Sequence, residues 1–394
     1  MKTITNIRGN ETHIFAETFE YEAYDQIKKL TNFEAYQNEK IRIMPDAHAG
    51  KGCTVGTTMT ITDKITPNLV GVDIGCGMLT IQISDTNINL ARLDEVINSR
   101  IAHGFNIHKE SKYKFDFSQL RCQKNVDLER ASLSIGSLGG GNHFIEVNKS
   151  DKNGFYYLVI HSGSRKLGGD TCKYYQNKAF QNANEMGKVR TELIDRLKKE
   201  GREKDIAKEI KRLKKPSADK DLAFLSGIDF YDYMNDMSIV QKYASINRSV
   251  MAEIILKEMG LSEKSRIETI HNYIDFKRMI LRKGAVSAEA GETLLIPINM
   301  RDGSLLCIGK GNKDWNYSAP HGAGRLMSRT KAKELINIDE FRKSMANVYS
   351  SSVTESTIDE APQAYKSINE IMRTIVDTVD VVDILTPLYN FKSH

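Results

Sequence analysis

No stretch of this 394-residue sequence approaches the ~18 to 20 consecutive apolar residues that a membrane helix needs, so nothing in it reads as a bilayer span. The first twenty residues turn polar and acidic without an apolar core, which argues against a secretory or transit peptide and sets the expectation of a cytoplasmic protein. The five cysteines, at 53, 76, 122, 172 and 307, are odd in number and form no CxxC pair. That excludes a disulfide framework and a cysteine-only zinc site as readings, and leaves reduced thiols. GKGCTVG and SLGGGN lack the spacing of a phosphate-binding P-loop or a dinucleotide fingerprint, so ATPase and Rossmann readings would rest on glycine counts alone. Low-complexity tracts, internal repeats and Pro/Gly/Ser linkers are absent as well, which predicts one integrated catalytic domain over residues 1–394. The formal charge of +5 admits nucleic acid as a partner without requiring it.

What is present is a mixed order of α and β signals. YEAYDQIKKL reads as a helix, and IRIMPD, TTMTITDKI, GMLTIQI, HFIEV and FYYLVIHSG carry the β-branched and apolar content of strands. NLARLDEVINSRIAHG has amphipathic helical spacing. Residues 182–215 form a long charged run with Leu and Ile at helical intervals and Gly201 at a break, which predicts a protruding helical hairpin. Its lysines and arginines read as a solvated face or as an RNA-backbone contact. YMNDMSIVQKYASINRSVMAEIILKEMG predicts a second long helix, residues 270–328 a block of short strands and loops, and the last sixty residues a mainly helical tail.

The chemistry-bearing residues sit in glycine-rich turns. Asp46 and His48 lie in MPDAHAGKG, Asp73 and Cys76 in GVDIGCGM, Asn142, His143 and Glu146 in GGGNHFIEV, His161 in HSGSR, His271 and Asn272 in HNYID, and His321 in APHGAGR. Such turns let backbone approach a ligand closely. Carboxylate, thiolate and imidazole together suit Mn²⁺, Zn²⁺, Fe²⁺ or Co²⁺ better than Mg²⁺ alone, and a redox-inert dinuclear site is consistent with them. Asp73 and Cys76, three residues apart across a turn, can face one ion, and a thiolate can bridge two. Three further features look phosphate-directed: the backbone N–H groups of GSLGGGN, Ser164 with Arg165, and Arg282 with Lys283.

In order, MPDAHAGKG, GVDIGCGM, SLGGGNHFIEV, HSGSRKLGG, YASINR, HNYID, RKGA and HGAGRLMSRTKA resemble the motifs of RtcB RNA ligases, from about residue 41 to the carboxyl terminus. The resemblance implies a single α/β (α+β) domain whose sheets surround a deep cleft for two metal ions and a nucleotide. It implies two Mn²⁺ ions, with Cys76 bridging: His143 and His271 would join it at one, Asp73 and His161 at the other. His321 would carry GMP from GTP as a phosphoramidate, with Gly322, Ala323, Gly324 and Arg325 beside the nucleotide. Asn142, Phe144 and Glu146 would contact the nucleotide, the glutamate reading the guanine edge, with Lys392 approaching the same base. Asp46 would lie near the attacking 5′-hydroxyl. The implied substrates are RNA ends bearing a 3′-phosphate or 2′,3′-cyclic phosphate and a 5′-hydroxyl, in RNA repair or tRNA splicing, with an archease-type activator as a further partner.

The sequence departs from the family pattern in two places. PINMRDGS stands where a PGSMG-type segment is usual, so Asn299 replaces one nucleotide-side serine while Ser304 remains. Ser393 and His394 replace a terminal glycine after Lys392. These departures suggest a divergent paralogue whose substrate is cleaved tRNA, nicked ribosomal RNA or a DNA end. Two rival readings are a metal-dependent cyclic phosphodiesterase that heals ends without sealing them, and a catalytically silent RNA-binding regulator. The intact HGAGR histidine opposes the first, and retention of the whole ligand set opposes the second.

Overall fold

The computed structural model describes residues 2–50, 52–85, 87–212 and 219–393. Two sheets organise them. The first has six strands in the order Lys2–Thr5, Glu11–Ile14, Ile41–His48, Val55–Thr60, Ile280–Lys283 and Asn272–Asp275. The second has seven, in the order Glu263–Ile270, Gly77–Ile83, Tyr156–Ser162, Phe144–Ser150, Val379–Lys392, Gly303–Gly309 and Thr293–Asn299. The chain passes from the second sheet to the first at a single residue, His271, which separates Glu263–Ile270 from Asn272–Asp275.

The helix Ile228–Met259 packs on strands of both sheets, against Gly77–Ile83 and Tyr156–Ser162 of one and Asn272–Asp275 of the other. That position explains its composition: apolar residues fall on several faces, with Tyr233, Met237, Val240, Tyr243, Met251 and Ile255 all buried. It ends at Gly260, whose φ of +65° supplies the left-handed cap that closes a helix at low steric cost. The amphipathic helix Leu90–Arg100 buries Leu93, Val96 and Ile97 and is capped by Asn89, whose side chain accepts from the Arg92 amide at 3.0 Å.

The mixed α/β class is as expected. The tail differs: after the short helices Arg329–Leu335, Ile338–Ser344 and Ile368–Thr374, the chain runs as a fourteen-residue strand, Val379–Lys392, inside the seven-stranded sheet. Pro387 sits at a break in register between Pro387 and Tyr389, the kind of irregularity that lets a proline occupy an interior strand. Strands Lys2–Thr5 and Glu11–Ile14 precede the first helix. In the charged segment, helices Met186–Lys199 and Ile206–Arg212 pack on each other, and Leu193 and Leu197 are buried. The end of the expected hairpin, 213–215, lies outside the described residues. No helix among the described residues is long and apolar enough to cross a membrane.

Candidate active site

Four neighbouring strands of the second sheet deliver their ends to one place. Gly77 pairs with both Ile270 and Ser162, and Phe144 pairs with His161, so His271, Cys76, His161 and His143 lie at adjacent strand ends. Cys76 Sγ is 3.3 Å from His143 Nε2 and 3.3 Å from His161 Nε2. His143 Nε2 is 2.8 Å from Asp73 Oδ2, and His161 Nε2 is 2.9 Å from His271 Nε2. The five residues expected as metal ligands therefore do converge. Asp73 lies on His143, and His161 lies on His271, with Cys76 between the two pairs. The register explains this, because His161 and His271 flank Cys76 on the two strands that pair with Gly77–Ile83.

This donor set fits a metal. His161 Nδ1 faces the Asn142 carbonyl at 3.1 Å, so that nitrogen carries the proton and donates, leaving the Nε2 lone pair turned into the cluster. The facing Nε2 atoms of His161 and His271 cannot both be donors. Nδ1 of His143 and of His271 are buried without a partner among the described residues. Burial pushes the His161 and His271 imidazoles well below their usual range, with neighbouring histidines adding to the effect, so both are neutral and able to ligate. Burial alone would raise the Asp73 carboxyl, but the adjacent His143 outweighs it and holds Asp73 at about 2. Cys76, Asp73 and the three histidines thus form a set able to hold divalent cations of borderline softness.

Two glycines make the approach feasible. A Cβ on Gly163 would stand 2.2 Å from Asp73 Oδ1, and one on Gly139 would stand 2.0 Å from His143 Nδ1 and 2.5 Å from an Arg165 guanidinium nitrogen. The loops that carry these residues are clasped from behind by two polar residues of the long helix. Asn247 accepts from the Gly136 and Ser137 amides at 2.8 and 3.0 Å and donates to the Ser137 and Gly163 carbonyls, both at 3.1 Å. Arg248, fully buried, donates to the Gly75 and Ser162 carbonyls at 2.7 and 2.6 Å and pairs with Glu268. YASINR thus ties three site loops to one helix. The signal was available in the sequence as an Asn-Arg pair in the middle of an apolar helix.

His321 follows the short strand Ser318–Pro320, and its ring centroid is 4.7 Å from that of His271. Asp46 is fully buried behind it: Oδ2 is 2.5 Å from His321 Nδ1 and accepts from the His321 amide at 3.1 Å. Asp46 therefore sets the tautomer, with the proton on Nδ1 and the lone pair on Nε2. Asp46, expected near an attacking hydroxyl, thus lies fully buried behind His321, with Oδ1 left without a partner among the described residues. His48 donates from Nδ1 to the Asp46 carbonyl at 2.9 Å, and burial pushes its imidazole down to about 4.

From His321 a cleft of about 650 Å³ opens, lined by Asn142, Phe144, Glu146, Asn299, Lys392 and the Gly322–Arg325 turn among others. A smaller cavity of about 230 Å³, bounded by Asp73, His271, Asn272 and Lys283, reaches His321 and His48 from another side. Glu146 accepts from Asn390 Nδ2 at 2.6 Å and Asn148 Nδ2 at 3.2 Å, and burial raises its carboxyl to about 7. Lys392 lies 5.4 Å from the centre of the Phe144 ring and 2.9 Å from Glu360.

Two expected contributors stand elsewhere. Ser304 is fully buried opposite Leu385 and Pro297, away from the cleft lining. Arg282 is fully buried and spends its donors on Ser318 Oγ, the Tyr273 hydroxyl, Asp275 and the Tyr317 carbonyl, at 2.7–3.2 Å, so it supports the first sheet and reaches no open site. Asn299 reaches the cleft wall but closes its own turn, donating to Asp302 and accepting from the Arg301 and Asp302 amides. Lys283 donates to the Asn68 carbonyl at 3.1 Å beside the smaller cavity. Arg165 is held by Ser137 Oγ and the Gly104 carbonyl at 3.1 and 2.5 Å.

Sequence reasoning missed Glu360, Tyr365 and Arg329, all of which line the cleft. Glu360 is buried; burial alone would raise its carboxyl, but the Lys392 and Arg329 cations hold it at about 2. Tyr365 donates to it at 2.7 Å. DEAPQAY carries no glycine and no histidine, so nothing in its composition marks it as part of a site.

Fold and site together define an α/β protein with a candidate metal centre opening into a deep cleft. A family model described as "tRNA-splicing ligase RtcB" matches residues 26–393. The chain belongs to the RtcB family. It is 33% identical over 388 residues to the RNA-splicing ligase RtcB of Escherichia coli K12, an alignment that spans 87% of each protein. It is 24% identical to the tRNA-splicing ligase RtcB of Archaeoglobus fulgidus, over 91% of this chain and 88% of that protein. It is also 25% identical to the RNA-splicing ligase RtcB2 of Escherichia coli ATCC 25922, over 84% of this chain and 82% of that protein.

Proposed function

We propose that this protein is a GTP- and Mn²⁺-dependent RNA ligase that joins a 3′-phosphate to a 5′-hydroxyl through a guanylylated His321. The observation that carries the reading is the placement of His321. Its Nδ1 is fixed on buried Asp46, its ring lies against His271 of the metal-ligand cluster, and it forms part of the wall of a nucleotide-sized cleft. A histidine that covalently carries a nucleotide needs all three neighbours: a group that orients it, cations for the phosphates, and a cleft for the nucleotide.

The chemistry follows from these positions. The His321 Nε2 lone pair attacks the α-phosphorus of GTP and pyrophosphate leaves; the Nδ1–H, shared with Asp46, stabilises the cationic ring that forms. An oxygen of the RNA 3′-phosphate then attacks the same phosphorus, the bond to Nε2 breaks, and RNA-3′-ppG results. Finally the 5′-hydroxyl attacks the terminal RNA phosphorus, loses its proton and expels GMP. Asp73, Cys76 and His143 would hold one divalent ion, and Cys76, His161 and His271 the other; when bound, these supply Lewis-acid stabilisation of charge on the reacting phosphates. Glu146 and Lys392 would meet the base in the cleft, beside Phe144. A 2′,3′-cyclic phosphate would first be opened to the 3′-phosphate.

Incubation with labelled GTP and Mn²⁺ tests the reading. The expected result is a covalent, acid-labile and base-stable GMP adduct that His321→Ala abolishes. An end-healing hydrolase or a silent RNA binder gives no adduct, and that outcome would overturn the proposal.

A further inference from the structure

A second cavity, of about 920 Å³, adjoins the nucleotide cleft and shares Arg329 and Glu360 with it. The wall between them is the glycine turn that ends at Asn142: Gly140 and Gly141 face the second cavity, while Asn142 faces the cleft. On its rim stands Phe105, 95% exposed.

Phe105 is not a loose surface residue. Arg130 donates to the Phe105 carbonyl at 2.7 Å, and Arg165 donates to the Gly104 carbonyl at 2.5 Å. His103 forms a bridge to Leu138, and the Asn106 amide closes a turn on the His103 carbonyl at 3.1 Å. Arg165 itself has φ of +56°, a conformation that L residues adopt only when their surroundings impose it. Four neighbouring contacts thus fix the backbone of a loop whose tip holds an aromatic ring in water. Phe105 is the most exposed of the large apolar side chains among the described residues, and it stands on a backbone these contacts hold in place beside a cavity.

The surroundings say which ligand. Arg130, Arg165, Lys166, Arg329 and Lys333 line the cavity, against Asp127, Asp359 and Glu360. Asp127 is occupied in capping its helix through the Arg130 amide at 3.0 Å, and Asp359 and Glu360 are engaged by Arg329. The side chains of Lys166 and Lys333 remain 47% and 55% exposed, in surface ion pairs weak enough to be exchanged for a phosphate. An exposed aromatic ring beside exposed cations is an arrangement that binds single-stranded nucleic acid, the ring taking a base face and the cations tracking the backbone.

We infer that Phe105 is a base-stacking platform and the cavity beside it a binding site for unpaired nucleotides flanking an RNA end held at His321. The inference rests on the ligase reading for the identity of the strand, and on the geometry alone for the site. Stacking, not sequence readout, makes it tolerant of base identity.

Two short oligoribonucleotides test it, each with 2-aminopurine near one terminus: one ends in a 3′-phosphate, the other begins with a 5′-hydroxyl and ends in a 3′-hydroxyl. The expected result with the intact protein is fluorescence quenching for one of them. Phe105→Ala is expected to remove that quenching, weaken binding of that oligonucleotide by roughly ten-fold, and raise the KM for that strand while self-guanylylation stays unchanged. Phe105→Trp restores binding. The oligonucleotide affected identifies whether the upstream or the downstream strand occupies the cavity, and either result supports the site. Equal affinity and equal quenching of both oligonucleotides in the parent and Phe105→Ala proteins would overturn it. Failure of self-guanylylation in the parent would instead overturn the ligase reading, since binding by anisotropy is measured without GTP.

Discussion

The cluster and the cleft wall beside it are built differently. In the cluster, Cys76, His143, His161 and His271 come from adjacent strand ends, and their spacing is set by backbone pairing in one sheet. In the adjoining cleft wall, Glu146, Lys392, Glu360, Arg329 and Tyr365 come from two paired strands, the first residue of the helix Arg329–Leu335 and the segment 360–365, held by ion pairs and hydrogen bonds between side chains. Strand ends give fixed distances, as a reacting centre requires. Side-chain networks give adjustable ones, and their positions depend on every partner being present.

The largest expected effects break the comparison at its rigid end. Cys76→Ala should abolish both adduct formation and sealing of an RNA already bearing a 3′-ppG end, because both phosphoryl transfers need the cations it would help to hold. His321→Ala should abolish the adduct yet retain sealing of the preactivated end, which enters after the missing step. Metal content and folding of each variant are measured alongside. If His321→Ala fails on the preactivated end with metals bound, the histidine has a second role.

Arg248→Met tests whether the clasp behind the cluster is as important as the geometry implies. It leaves the Gly75 and Ser162 carbonyls without their donor and breaks a largely buried ion pair, so a loss of about 3 kcal/mol is expected. Denaturant melting reads it, and a loss under about 0.5 kcal/mol, the range of ordinary surface changes, would mean the loops hold themselves.

At the adjustable end the expected effects are smaller and depend on pH. Glu146 can accept from guanine N1–H and the exocyclic amine only as the carboxylate. Its carboxyl is raised to about 7 in the free protein, so protonation as pH falls through that value should weaken GTP binding and narrow the preference for GTP over ATP. Above it, preference should be full. Guanine favours the charged form, so the midpoint should shift lower in the bound state. Glu146→Gln should remove this pH dependence; a GTP/ATP ratio that is flat from pH 6 to 8 in the parent would show that another group reads the base.

The smallest effect belongs to the charged segment. Neutralising Lys198, Lys199, Arg202 and Lys204, all exposed, should lower RNA affinity and reduce the salt slope by up to about 3, with the adduct untouched. Arg202 already pairs with Glu200 and Asp205, so its share is the least. An unchanged slope returns the segment to a solvated face.

The same contrast governs what the sequence revealed. Asp73, Cys76, His143, His161 and His271 were legible because each is short-range chemistry beside a glycine or asparagine that a close approach requires. How they meet one another depends on strand register. Arg282 looks phosphate-directed in RKG, whereas its partners Tyr273, Asp275 and Ser318 are assembled only by the sheet. Glu360 was missed for the converse reason: its partners lie at positions 325, 329, 365 and 392. The final strand was hidden by Pro387 and by exposed acids such as Asp380, which give Val379–Lys392 no clean alternation.

That strand has a consequence for biosynthesis. Among the strands it is made last, yet in the sheet it lies between Phe144–Ser150 and Gly303–Gly309. While the chain is being synthesised, those two strands therefore have unpaired edges facing one another across a gap. All five cluster residues have by then been translated, but Asn390 and Lys392, the partners of Glu146 and Glu360, have not. Closing that gap is therefore the step at which Glu146 and Glu360 first gain these partners and the cleft wall is completed.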